Sequence, residues 1–250
     1  MKERKLWNRE ELILAINLYC KTPFGRLHKT NPDIVELATL IGRTSSALTW
    51  KLVNFASFDP SLQARGIKGA QNSSKLDKEI WEEFFNNLEN LAFESEMLLY
   101  KLKHEEMPVE EEEFKEGREK ERTVKTRVNQ SFFRSTLLAS YNNKCCITGI
   151  SKTEFLVSGH IVPWSVDSKN RLNPRNGVLI NALHDKAFEY GYITISTDYK
   201  ILVCSELLKT QDENAINYFH KHHNQSIILP SRFLPDVEFL KYHNNERFRH

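Results

Sequence analysis

The chain is predicted to be an α+β protein, with helices over its first hundred residues and a strand–loop–strand–helix run in its second half. Three observations lead there. Apolar residues recur at helical spacing from Leu12 to Leu91. β-rich runs, "FLVSGHIV" and "GVLI", precede the short helical stretch "NALHDKAFEYG". Between the two halves lies an acidic block, "EEMPVEEEEFKEGREKER", holding a proline and few apolar residues. Net charge is +2 over residues 1–104, −5 over 105–122 and +5 over 123–250. We therefore read a helical domain at 1–104, an acidic linker at 105–122 and a second domain at 123–250.

Composition narrows the class. Of the 250 residues, 27% are charged and 40% apolar, ordinary values for a folded soluble chain. No apolar run approaches the ~20 residues that cross a bilayer, so no membrane partner is expected. Charges interrupt the first twenty residues, so no signal peptide is read there. Cys20, Cys145, Cys146 and Cys204 form no disulfide framework, and a reducing cytoplasm is the expected location.

The first helix is expected in "WNREELILAINLYC", capped by Asn8, with Glu10 and Glu11 in its first turn and Leu12, Ile13, Ile16 and Tyr19 on one face. A second begins at Asn31–Pro32, carries Ile34, Leu37 and Leu40–Ile41, and ends at Gly42. Thr44 or Ser45 caps a third with Ala47, Leu48, Leu52 and Phe55. Two helices around a glycine turn match a helix-turn-helix, whose second helix can enter a major groove. With Trp7, the stretch "IGRTSSALTWKL" also resembles Myb-like three-helix domains. Arg43, Thr44, Ser45, Thr49 and Lys51 are the candidate DNA contacts, a bundle without ligand being the alternative. "FDPSLQARGIKGAQNSSK" reads as a loop whose Arg65, Lys68 and Lys75 can meet phosphates. One long helix is expected over "LDKEIWEEFFNNLENLAFESEMLLYKLK", with Ile80, Phe84, Leu88 and Leu91 on one side.

In the second half, "VNQSFFRSTLLASY" reads as a helix and "NNKCCITGI" as a turn into a strand. A strand ends at Pro163, and a loop leads to a second strand at Val178–Ile180. A helix follows, capped by Asn181 and stopped by Gly191. "YITISTDYKILVC" reads as a hairpin. Taken singly, His160 is a core histidine and Asn176 a turn residue. His220, His222 and His223 read as solvated, and Trp164 and Phe188 as core.

Together, "GHIVPW", "NPRNG" and "LHDKAF" resemble the HNH endonuclease family. "NQSFFRSTLLASYNNKCCITGI" resembles the segment preceding that motif in restriction-type members. The resemblance implies a ββα-metal nuclease unit acting on double-stranded DNA. It assigns His160 as general base, Asn176 as the residue fixing the loop, and His184 as metal ligand, with Asp185 a second ligand or outer-shell partner. Arg175 is a candidate for neutralising phosphate. Histidine suits the base because it is partly neutral near pH 7, and the rate is expected to rise with a midpoint near the ordinary ~6.5.

This sequence departs from the family where many members carry an acidic residue or histidine before the base, since Gly159 stands there. Phe188 stands where some members have a second histidine. Few ligands suit Mg²⁺ (or Mn²⁺), which keeps several waters, and no structural zinc is expected because the paired cysteine motifs are missing. A restriction-type defence enzyme is the reading, and a homodimer follows if both strands are cut. Some members act only on modified cytosine, and no base-flipping pocket is identifiable here. The rival reading is a DNA-binding regulator with a silent HNH scaffold.

Overall fold

A computed structural model describes residues 5–67, 73–105 and 118–250. Lys68 and residues 106–117 of the expected linker lie outside it. Contacts divide the chain into two units, Met1–Ser135 and Thr136–His250. The division falls at 135/136, so residues 123–135, grouped by composition with the second domain, count with the first unit.

The first unit is helical: α1 (Arg9–Lys21), α2 (Pro32–Leu40), α3 (Ser45–Phe55), α4 (Pro60–Ala64), α5 (Lys75–Asn86), α6 (Leu88–Lys103) and most of α7 (Arg118–Ser140). Asn8 and Glu11 form a reciprocal capping box on α1. Asn31 and Thr44 cap α2 and α3, and Gly42 takes the left-handed conformation (φ +63°) between them. Leu12, Ile13, Ile16 and Tyr19 are fully buried. Trp81 meets Tyr19 edge-on at 5.6 Å and stacks on Phe55 at 5.8 Å, tying α5 to α1 and α3.

Two expectations change here. α4 lies in the stretch read as loop, because Pro60 suits a first helical position. The single long helix breaks at Asn87, which leaves helical geometry (φ −138°, ψ 45°) while its N–H bonds the Glu83 and Phe84 carbonyls. Asparagine competes for backbone hydrogen bonds and so favours such a break.

The second unit is built on the antiparallel pair β1 (Leu156–His160) and β2 (Gly177–Asn181), in register from Leu156 opposite Asn181 to His160 opposite Gly177. α8 (Ala182–Glu189) follows directly, with Asn181 bonding the His184 N–H as its cap. β3 (Ile193–Ile195) and β4 (Ile201–Val203) form the second hairpin. α9 (Ser205–Leu208), α10 (Glu213–Tyr218) and α11 (Val237–Glu246) complete the unit. Residues 145–150 form a turn instead of the expected strand. Gly149 is left-handed (φ +73°) there, and the Cys145 N–H bonds the Ile150 carbonyl at 2.9 Å.

Candidate active site

Strand β1 ends at His160, and α8 lies against β1 and β2. This brings residues distant in sequence around one cleft of about 320 Å³. Gly159, His160, Trp164, Asp185, Glu189 and Arg247 are among its lining residues.

His160 is half-buried and held at both ring nitrogens. Its Nε2 lies 2.8 Å from the Arg171 carbonyl oxygen, which can only accept, so we place the proton on Nε2. The lone pair is then on Nδ1, and the Trp164 indole nitrogen faces the ring edge, 3.1 Å from Nδ1 and 2.6 Å from Nε2. Burial holds the imidazole below its ordinary pKa, against an opposing pull from the Arg171 carbonyl. The ring is therefore neutral near pH 7, the form that accepts a proton.

Asn176 explains why that carbonyl stays in place. The side chain is fully buried. Its Oδ1 accepts from the Val162 N–H at 2.8 Å, and its Nδ2 donates to the Val162 and Asn170 carbonyls at 3.1 and 3.3 Å. One amide thus pins both ends of the loop that carries Arg171. An apolar residue here would leave these backbone groups unpaired inside the unit.

Gly159 gains its meaning from Asp185. A Cβ added at Gly159 would lie 2.8 Å from Asp185 Oδ1, so the aspartate occupies the space a side chain would need. A carboxylate carried by α8 thus lies against Gly159, the neighbour of His160 in the chain. Burial raises the Asp185 pKa, and like-charged Glu189 one turn along the helix raises it further, against a weaker pull from Lys186. A carboxylate crowded this way, beside a neutral imidazole in an open cleft, suits a divalent cation that retains waters. Among the described residues no group of three His, Cys, Asp or Glu forms a complete cage.

His184 does not line this cleft. It is 1% exposed, and both ring nitrogens are occupied: Nδ1 by the Asn181 amide at 2.7 Å and Nε2 by the Tyr218 carbonyl at 2.6 Å. Its ring packs edge-on against Phe219 and His222. The imidazole ties α8 to α10, while Asp185, Phe188 and Glu189 are the α8 residues that line the cleft. His220, His222 and His223 are also not solvated as expected. His220 Nε2 bonds the Leu207 carbonyl at 2.7 Å, and His223 Nδ1 accepts from the Val203 N–H at 3.1 Å. His222 Nε2 is buried. Phe188 is buried as expected, stacked at 3.7 Å on His243, whereas Trp164 is half-buried at the cleft.

The candidate DNA contacts of the first unit separate into two groups. Arg43 is buried against Glu11, also bonds the Lys5 and Leu6 carbonyls, and lies 4.3 Å over Trp7. Burial raises the Glu11 pKa, and hydrogen bonds from Arg43 and Lys5 override it, leaving the carboxyl below its ordinary value. Lys51 is buried too, with Nζ 2.7 and 2.8 Å from the two Asp77 oxygens. Both cations are engaged in this packing. Thr44 caps α3, Ser45 begins it, and the Thr49 hydroxyl bonds the Ser45 carbonyl. Trp50, which the sequence reading passed over, stands 66% exposed on the same helix. Arg175 pairs with Asp236 at 3.0 Å, bonds the Leu234 carbonyl, and does not line the cleft.

A family model described as HNH endonuclease matches residues 145–196, the span from the Cys145 turn through β3. Comparison with curated proteins gives no match.

Proposed function

The chain carries an HNH endonuclease unit, and from that premise we propose that it is a divalent-metal-dependent nuclease cutting double-stranded DNA, with His160 as general base and Asp185 as the carboxylate that holds the ion. The observation supporting this most is the neutral His160 in one cleft with Asp185, braced through Arg171 by the buried Asn176. Trp164 gives up its contact with Nδ1 as water takes that place. Water attacks phosphorus, its proton passes to Nδ1 of His160, and the bond to the leaving sugar oxygen breaks. Asp185, beside the base His160, would hold a divalent ion, which would supply positive charge to offset that on the phosphate and leaving oxygen.

The first unit supplies DNA affinity through the outer face of α3, with Thr44, Ser45, Thr49 and Trp50. Binding then weakens as salt rises. Cutting both strands requires two such sites, hence a homodimer. A restriction-type defence role fits a nuclease unit combined with a DNA-binding helix pair.

The test is plasmid cleavage by the full chain with Mg²⁺, with Mn²⁺ and with EDTA. Nicking or linearisation that EDTA stops supports the reading. DNA binding without cleavage under any ion would favour the regulator with a silent scaffold.

A further inference from the structure

The cleft is completed by a residue from outside the matched span. Arg247 stands beyond the end of α11, far along the chain from residues 145–196, yet lines the cleft with His160 and Asp185. We propose that Arg247 binds the phosphodiester being cut, as the cation of this cleft that meets substrate. The inference rests on the nuclease reading above.

The backbone is built to bring it there. The Arg249 N–H bonds the Gly191 carbonyl at 2.9 Å, and Arg249 Nε bonds the Tyr190 carbonyl at 2.9 Å. Gly191 is left-handed (φ +76°), and a Cβ there would run into the Arg247 carbonyl oxygen. The segment after α11 therefore lies directly on the turn that ends α8, and only glycine allows that approach. Arg247 Nη2 donates to the Glu189 carbonyl at 2.7 Å, which anchors the guanidinium at the C-terminal end of α8.

That anchor uses one of five N–H donors. Among the described residues the guanidinium makes no other hydrogen bond or ion pair, and it is exposed at the cleft. The nearby acids are otherwise placed: Glu189 pairs with Lys186 at 2.7 Å, and Asp185 faces Gly159. A planar guanidinium fixed at one edge offers parallel donors matched to two phosphate oxygens. Arg175, expected from the sequence to serve phosphate, is paired elsewhere. Arg249 provides an internal comparison, since it stacks over Tyr192 at 4.1 Å and does not line the cleft.

The experiment measures cleavage of a short DNA duplex by the full chain, comparing wild type with Arg247→Ala, Arg247→Lys and Arg249→Ala. Arg247→Ala should cut on the order of 10²-fold more slowly, with added guanidinium ion restoring part of the rate and the shape of the pH profile unchanged. Arg249→Ala keeps the backbone bond to Gly191 and loses only the Nε bond to Tyr190, so it should slow cleavage far less than Arg247→Ala. Arg247→Lys still reaches the Glu189 carbonyl but loses the parallel donors, and should fall about tenfold. If Arg247 only caps α8, Arg247→Lys keeps full activity even where Arg247→Ala melts early, and that result overturns the proposal. So does Arg247→Ala cutting at the wild-type rate. No cleavage by the wild type removes the nuclease reading and this inference with it, whereas an active wild type with an equally active Arg247→Ala removes this inference alone.

Discussion

Two aspartates, one in each unit, differ in a way that separates structure from function. Asp77 is fully buried, and both its oxygens receive the ammonium of Lys51, which itself lies 5.0 Å over Trp7. Asp185 is half-buried beside like-charged Glu189 and above a glycine, and among the described residues it forms no ion pair and feels only a weaker pull from Lys186. Burying charge is costly unless it is paired. The first aspartate has its partner in the protein. The second has none of this kind among the described residues, and under the proposed function the ion would be its partner. Arg43 and Glu11 repeat the first pattern, and His160 shares the second, half-buried at the cleft with the Trp164 indole against its ring.

Removing His160 should produce the largest change. His160→Ala is predicted to lower cleavage ~10²- to 10⁴-fold while DNA affinity, measured by gel shift, stays near wild type. Retained cleavage would put the base elsewhere. Because burial lowers the His160 pKa, the wild-type rate should reach half its maximum below the ordinary ~6.5. This revises the midpoint expected from sequence.

The paired aspartate should behave in the opposite sense in a melting experiment. Lys51→Ala leaves Asp77 buried and alone, and is predicted to cost about 3–5 kcal/mol. Asp185→Asn removes a crowded charge and should melt at the wild-type temperature or above. Equal losses in the two variants would erase the distinction drawn between them.

Acid should loosen the second unit. Burial lowers the pKa of His160, His184, His222 and His243, the last to about 4. Unfolded histidines take up protons near ~6.5, so this stability is complete above that pH and is lost as pH falls toward the folded values. His243 alone contributes roughly 3 kcal/mol over that window. Calorimetric melts of the full chain at pH 8 and pH 5 should show the drop, and a flat Tm would contradict it.

The cap residues of α1, α2, α3 and α8 were legible in the sequence because capping is local. Asn87 was not, since a continuous apolar stripe conceals a single non-helical residue. His160 and Asn176 were marked by the resemblance of "GHIVPW" and "NPRNG" to the HNH family, since taken singly they read as a core histidine and a turn residue. Which of His184 and Asp185 faces the cleft was not, because neighbours on a helix point about 100° apart and only packing against α10 and β1 chooses between them. Arg247 depends on a docking contact with Gly191, fifty-six positions earlier, and no local pattern signals it. Gly159 first read as a missing ligand. Its lack of a side chain is what admits Asp185, and Gly159→Ala should cost about 1–3 kcal/mol or displace that carboxylate.

Whether Asp185 holds the ion is tested most directly by calorimetric titration of Mn²⁺ into the wild-type protein and into Asp185→Asn. The two sites differ in one oxygen, and the variant is predicted to keep its fold. Saturable binding by the wild type, weakened on the order of tenfold or more in Asp185→Asn, is the predicted result. Identical binding by both proteins would contradict the assignment.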